Sequence, residues 1–366
     1  MITLILFLVI LSVLVAVHEA GHLVLAKWVG ARVKEYAIGF PPRLFSRKFG
    51  DTEYSLNLTP LGGYVNIAGE EGVDEEGETD IPLNEKLASK HPFKRILVLV
   101  AGVTSNVILA WLLISITLMA GSYEPVPTGG LLPANAQVVI LGVSPKSPAE
   151  KIGLKATDEI IKVSSGTHTL LPKTSEELVS FLENFQDGSI NIEVLRNGER
   201  KDFTDIHAVT GIVDGKKALG IAVDTAVMKK YSFFPALYKG IGVTGSTIKY
   251  IGVSAGHAFV EIINGKGGFS SVAGPVGIGK IVGEARSLGW VSVITFAAFL
   301  SINLAIINIL PFPALDGGRV IFTLFEWITG KPVSTKISRV VHTTGFIILI
   351  LLMLVITAHD ISQLIK

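Results

Sequence analysis

His18, Glu19 and His22 stand within five positions, in the run His18-Glu19-Ala20-Gly21-His22. On a helix, residues i and i+4 share a face, so both imidazoles can reach one metal ion while Glu19 sits beside them to accept a proton from water. Zinc suits such a pair: it takes imidazole nitrogen readily, tolerates an open fourth position and lowers the pKa of its water to about 7. The chemistry so implied is metal-assisted hydrolysis, with Glu19 as general base. By typical residue frequencies the pattern arises by accident in on the order of one chain in a hundred of this length. Its setting shifts the balance against a merely structural histidine pair. The motif lies in an apolar run from Ile2 to Trp28, and a charged group within a membrane costs about 2.5 to 3.5 kcal/mol on insertion scales, so it is kept mainly for function.

A catalytic zinc needs a third protein ligand. The chain has no cysteine, which excludes disulfides, iron–sulfur clusters and thiolate ligands and leaves His, Asp or Glu. His91, His168, His207, His257, His342 and His359 are scattered without a partner motif, and each reads as a surface or interface histidine. Asp316 differs. It ends Asn308-Ile309-Leu310-Pro311-Phe312-Pro313-Ala314-Leu315-Asp316 and precedes Gly317 and Gly318, where prolines stop a helix and glycines allow a tight turn. A helix-terminal aspartate near the interface would look the same, but this one shares its expected depth with His18 and His22.

The elements that must position these groups are mostly apolar. The 366 residues are 49% hydrophobic and 17% charged, with a mean hydropathy of +0.54, too apolar for an ordinary soluble domain. A net charge of +1 gives no reason to expect nucleic acid as a partner. A bilayer core needs about 20 apolar residues per helix, and four stretches qualify: Ile2 to Trp28, Ile96 to Ala120, Val291 to Ile309, and Thr344 to Ala358 with an extension to Val340. The first lacks a basic leader and is too long for a cleaved signal, so it is read as retained. Lys and Arg cluster between the first and second spans and between the third and fourth, which puts those loops in the cytosol and the stretch from about Gly121 to Gly289 outside.

Residues 54 to 70 alternate like a strand, carry an expected turn at Gly62-Gly63 and run into an acidic, solvated loop. A sheet edge beside a span is useful where it is buried in protein or faces a cavity. Outside the membrane, residues 138 to 209 read as a small α+β domain, with Thr174 to Glu177 spaced as a capping box and Arg196-Asn197-Gly198-Glu199 as a hairpin turn. Ser147-Pro148-Ala149-Glu150-Lys151-Ile152-Gly153-Leu154 and the residues that follow to Val163 resemble the core of a circularly permuted bacterial PDZ domain. That likeness implies a groove in which a peptide tail adds a strand to a sheet edge. From Phe233 to Gly279 the chain is apolar but broken by glycines and lysines, the pattern of helices lying on the outer interface. Residues 273 to 281 read as a turn back into the membrane.

Four parts follow: 1–120 with the first two spans and a membrane-associated β-hairpin, 121–230 with the extracytoplasmic PDZ-like domain, 231–290 interfacial, and 291–366 with the last two spans. The fold class is therefore a multi-pass α-helical membrane protein with about four transmembrane helices, a β-hairpin and one PDZ-like α+β domain.

Taken together, HEAGH at 18–22, PLGGYV at 60–65, the PDZ-like insert, GPVGI at 274–278 and the tract from Asn308 to Gly318 resemble the site-2 protease family of intramembrane zinc metalloproteases, in an arrangement most like the bacterial regulator-of-sigma-E type. The resemblance implies His18, His22 and Asp316 as ligands of one Zn2+ and Glu19 as general base. It implies that Asn303 and Asn308 handle the substrate backbone, and that the strand around Gly62, Gly63 and Tyr64 pairs with an unwound substrate helix. It further implies a bacterial inner membrane, an active site toward the cytoplasmic side, and single-span membrane proteins such as anti-sigma factors or remnant signal peptides as substrates. Three features depart from the family pattern: Val103 stands where many members have proline, Ile38-Gly39-Phe40-Pro41-Pro42 follows its tract loosely, and there is one PDZ-like unit rather than two. A catalytically silent PDZ adaptor and a metal transporter are the competing readings. Intact HExxH and LDG motifs argue against the first; the lack of repeated ligand sets argues against the second.

Overall fold

The computed structural model describes residues 2–70, 80–127, 131–144, 146–184, 188–196, 198–213, 216–264 and 274–365. Most of the acidic loop expected after residue 70 lies outside them. The chain divides into two compact units, one of residues 1–116 and 234–366 and the other of 117–233.

The first unit is built on long apolar helices. Among the described residues, four are long and apolar enough to cross a membrane: α1 (Ile2–Trp28), α2 (Pro92–Ala120), α7 (Trp290–Ile309) and α9 (Thr335–Ile365), which fits a multi-pass membrane protein. On α1 the buried positions are Ile10, Leu14, His18, Gly21, His22 and Ala26, spaced by three and four, so the face that packs inward is the face that carries the histidines. Ile10 and Leu14 pack with Val282, Leu109, Phe296 and Leu300, which joins α1 to α2, α6 (Pro275–Leu288) and α7. The tract at 273–281, expected as a turn, is the start of α6 from Pro275 onward: proline suits a first helical turn, whose N–H has no helical partner, and Asp360 of α9 accepts the Gly277 N–H at 2.8 Å. α5 (Phe233–Ile263) is one 31-residue helix and falls outside the four spans.

Between α1 and α2, β1 (Val33–Phe49) and β2 (Thr52–Ile67) pair three times. Ala37 lies opposite both Tyr64 and Ser55, and Arg47 opposite Tyr54. Each long strand is folded over, and the result is a four-stranded ribbon in the order 63–67, 33–40, 52–59, 43–49. β2 doubles back between Thr59, opposite Phe40, and Gly63, opposite Ile38, so the chain turns at Gly62-Gly63 as the sequence suggested, although both residues lie within the span of β2; the chain also reverses at Gly50, whose φ is 62°, and folds over where register is lost between Phe40 and Arg43. A cluster of Ala26, Val29, Val33, Ile67, Leu87 and Val98 fastens the ribbon's base to α1 and α2.

The second unit is a sheet in the order β3 (Ser122–Pro125), β11 (Ile221–Lys229), β4 (Ala136–Val143), β5 (Glu159–Ser165), β7 (Ile190–Arg196), β8 (Glu199–Ile206), with β6 (His168–Leu170) on β5. Its core holds Ile140, Val163, Leu178, Ile190, Ile192, Val194 and Ile206. Short α3 (Pro148–Ile152) starts at a Ser147 cap and stops at Gly153 in the left-handed region, and α4 (Ser175–Asn184) starts where Thr174 Oγ1 accepts the Glu177 N–H, as the capping-box spacing requires. β9 (Val209–Val213) and β10 (Lys216–Ala218) form a separate two-stranded pair.

Candidate metal centre

α1 presents His18 and His22 one turn apart, and α8 (Asp316–Thr329) presents Asp316 at its first residue. Asp316 Oδ2 lies 3.1 Å from His18 Nε2 and 3.3 Å from His22 Nε2, and the two Nε2 atoms are 3.3 Å apart. Three atoms with lone pairs thus face one another in a near-equilateral triangle. Oδ2 is buried and makes no hydrogen bond, an expensive state for a carboxylate oxygen. A cation resolves it. Tetrahedral zinc with bonds of about 2.0 to 2.1 Å sets its ligands about 3.3 Å apart, so the donor set fits zinc in both chemistry and spacing.

Each ring is also gripped from behind. His22 Nδ1 donates to the Val98 carbonyl at 2.8 Å, which leaves Nε2 as the lone-pair nitrogen. His18 Nδ1 faces the side-chain amide of Asn106 at 3.3 Å. Asn106 is fully buried and its Oδ1 lacks a partner; turned so that this oxygen meets the ring, the amide accepts the Nδ1 proton and leaves His18 Nε2 as the lone-pair nitrogen. The Asn106 backbone carbonyl in turn accepts from Ser301 Oγ of α7 at 2.8 Å.

Small residues make this proximity achievable. A Cβ on Gly21 would strike the Ala101 carbonyl and Ser105 Oγ, and one on Gly102 would stand 2.7 Å and 2.8 Å from the His18 ring and closer still to His22 Nε2. The loop before α8 is as tight: Cβ atoms on Gly317 or Gly318 would meet the carbonyls of Ile309, Leu310 and Phe312. Bare backbone is the condition for Asp316 to reach the histidines.

Glu19 lies among both histidines and Asp316, and the Val65 backbone N–H donates to its carboxylate. Gly63 stands against it too, with a hypothetical Cβ 3.6 Å from Glu19 Cγ. The ribbon is held along α1 by Ser12 Oγ donating to Pro60 O of β2 and by Tyr36 OH of β1 donating to Ala16 O at 2.8 Å. Arg319, one turn beyond Asp316, is ion-paired with Glu70, and its charge acts on Glu19.

The remaining sequence-derived residues lie less centrally. Tyr64 turns its hydroxyl to Glu35 at 3.0 Å; burial and then the Glu35 carboxylate push its pKa up, so it is a neutral donor. Gly62 sits under the Phe40 ring. Asn308 is half-buried and falls on the face of α7 that carries Ser301 and Ala305, whereas Asn303 falls on the opposite face and donates to Phe299 O in its own helix. Ser301 and the Val65 amide carry no signal in the sequence, because a serine in an apolar helix or a strand amide has no meaning until its neighbour is known.

The model of Peptidase family M50 matches residues 6–352. A protein of Clostridium acetobutylicum is 34% identical over 352 residues, 96% of this chain and 94% of its own. Two proteins named zinc metalloprotease RasP are also similar: that of Shouchella clausii is 30% identical with 99% of each chain covered, and that of Oceanobacillus iheyensis 29% identical with 100% of each covered. Those names agree with the zinc-sized triangle and the carboxylate beside it, and the chain belongs to Peptidase family M50, the site-2 type of zinc metalloprotease.

Proposed function

We propose that the chain hydrolyses a peptide bond within or near the transmembrane segment of single-span membrane proteins, with His18, His22 and Asp316 as zinc ligands and Glu19 as general base. The observation that carries this is the triangle of donor atoms at 3.1 to 3.3 Å with Glu19 alongside, on a helix apolar enough to span. Zinc held there supplies Lewis acidity toward the substrate carbonyl and the attacking water. Glu19 takes the proton of that water and delivers it to the leaving amide nitrogen. Asn106 and the Val98 carbonyl keep the imidazoles turned inward. Asn308, on the inward face of α7, is the better placed of the two asparagines to hydrogen-bond the substrate backbone. A peptide bond in a helix is internally paired, so cleavage needs local unwinding, and a strand edge compensates the freed groups. The strand at 63–67, which borders Glu19, is that edge.

The second unit is read as a PDZ-like domain outside the cytosol of a bacterial inner membrane, with the active site toward the cytoplasmic side, a reading that the Lys and Arg of the intervening loops support. Supporting this are the Ser147-capped α3, its Gly153 stop and α4 set beside β11, where the Ser175 N–H donates to Thr225 Oγ1. β3 covers β11 only from Ala226 to Lys229, so Ile221 to Asp224 offer an edge for a peptide tail. The unit screens out substrates with large external domains, leaving trimmed anti-sigma factors or remnant signal peptides.

The test is cleavage of a tagged single-span reporter with a short external tail by wild type, Glu19→Gln and Asp316→Asn in one detergent, with bound zinc measured in each. Wild type should cut, Glu19→Gln should keep zinc without cutting, and Asp316→Asn should lose zinc. If all three behave alike, the hydrolytic reading falls and a PDZ adaptor becomes the better account.

A further inference from the structure

His342 carries no motif and reads as a surface histidine, yet its Nδ1 accepts the backbone N–H of Ala314 at 3.0 Å. The ring stands edge-on to Phe322 of α8, with 5.4 Å between centroids. Three residues on, Gly345 leaves no room for a side chain: a Cβ there would lie 2.7 Å from the Pro313 oxygen. Residues 342 and 345 share a face of α9, and that face grips Pro313 and Ala314. Farther along, α9 is mostly exposed, from Phe346 to Val355, so this grip is a local feature rather than general packing.

What it grips is the turn that delivers Asp316. The loop's own turns engage the amides of Phe312, Leu315 and Gly318, while the Ala314 amide is directed out to α9. Ala314 has a φ of 73°, in the left-handed region that a residue with a Cβ rarely enters unless held. Two residues later the carboxylate of Asp316 must meet two imidazoles to within tenths of an ångström.

We propose that His342 is a positioning residue for Asp316: a neutral imidazole, protonated at Nε2, whose Nδ1 lone pair fixes the Ala314 amide and thereby the turn that presents Oδ2 to His18 and His22. This rests on the reading of Asp316 as a zinc ligand. Loss of an outer partner of a metal ligand typically weakens binding 10- to 100-fold.

The experiment is chelator titration of zinc in the full-length protein, with kcat and KM on the single-span reporter, for wild type, His342→Phe, His342→Asn and Asp316→Asn. His342→Phe keeps a ring against Phe322 but has no acceptor; zinc retention should fall about 10- to 100-fold, with kcat reduced more than KM is changed. His342→Asn, whose Oδ1 sits near the place of Nδ1, should recover most of the loss. Adding Ala314→Gly to His342→Phe should also recover zinc, because glycine enters the left-handed region freely. His342→Ala is carried alongside, so that loss of the acceptor is read even if the larger ring is not accommodated. Wild-type zinc retention in both non-acceptor variants, or equal losses in Phe and Asn, overturns the proposal. If Asp316→Asn itself retains zinc like wild type, the ligand reading has failed and this inference falls with it; if Asp316→Asn loses zinc while His342→Phe does not, only the inference fails.

Discussion

Gly102→Ala probes the metal centre with a single added carbon. That carbon would stand 2.7 Å from His18 Cε1 and nearer to His22 Nε2, against about 3.5 Å for ordinary contact between such atoms, an overlap of about 0.8 Å or more. Metal–ligand distances tolerate about 0.2 Å, so the rings must turn out of ligating position. They cannot retreat together, because His22 is tied to Val98 O and α1 already meets α2 without a side chain at Gly21. Zinc affinity should fall at least about 10- to 100-fold, the range seen when a ligand's support is disturbed. The gain of about 0.8 to 1.0 kcal/mol for alanine over glycine in a helix interior is offset by about 1 to 3 kcal/mol of overpacking against the tied His22 ring. The assay is chelator titration of zinc together with thermal unfolding of the metal-free protein in detergent: the expected result is much weaker zinc retention with only a small fall in unfolding temperature. An alanine variant that holds zinc and cuts the reporter like wild type would refute the geometry.

Glu19→Gln should keep full zinc content while activity falls by about 10² to 10⁴-fold, the usual contribution of a general base, measured as initial rate against metal content in one preparation. Asp158→Ala, in the second unit, removes a fully buried carboxylate that meets Arg196 Nε and Nη2 at 2.6 Å each; leaving the guanidinium unpaired should cost about 3 to 5 kcal/mol, and a melting temperature unchanged from wild type would count against the pair's role. Asn106→Ala should weaken zinc binding about 10-fold or more, whereas Asn303→Ala, on the outward face of α7, should leave zinc content unchanged. For the size filter, Pro125 and Ala226 stand directly opposite in the β3–β11 pair, so replacing residues 126–225 with an Asn-Gly turn closes a short hairpin; the variant should cut reporters with long external domains, and undiminished preference for trimmed ones would end the filter idea.

The sequence pointed to the groups that the fold gathers, but not to the residues around them. His18, Glu19 and His22 were legible because ionisable groups in an apolar run are costly and therefore informative, and Asp316 because prolines and paired glycines frame it. Asn106, Ser301 and Gly102 were not legible in their roles. Their types are ordinary in a spanning helix, where asparagine and serine often satisfy neighbouring backbone, and their meaning depends on which face of α2 meets α1. The ribbon of β1 and β2 was half legible: alternation marks residues 54 to 70, whereas Val33 to Phe49 contains Pro41, Pro42 and four basic residues that hide the strand. Gly62 and Gly63 marked the turn in which β2 doubles back, but not the close contacts with the Phe40 ring and the Ala37 carbonyl that a Cβ at either would spoil.

The supports also explain how a charged site survives in an apolar helix. Burying Asp316 beside two imidazoles is affordable only if every other polar atom nearby has a partner, and the partners come from four separate elements: Val98 and Asn106 from α2, Ser301 from α7, Val65 from β2, and His342 from α9 through the Ala314 amide. No one helix could supply them. The ribbon and the kinked loop after α7 are therefore part of the metal centre in the same sense as HEAGH: without them the histidines would share a face of α1 with nothing to complete the triangle.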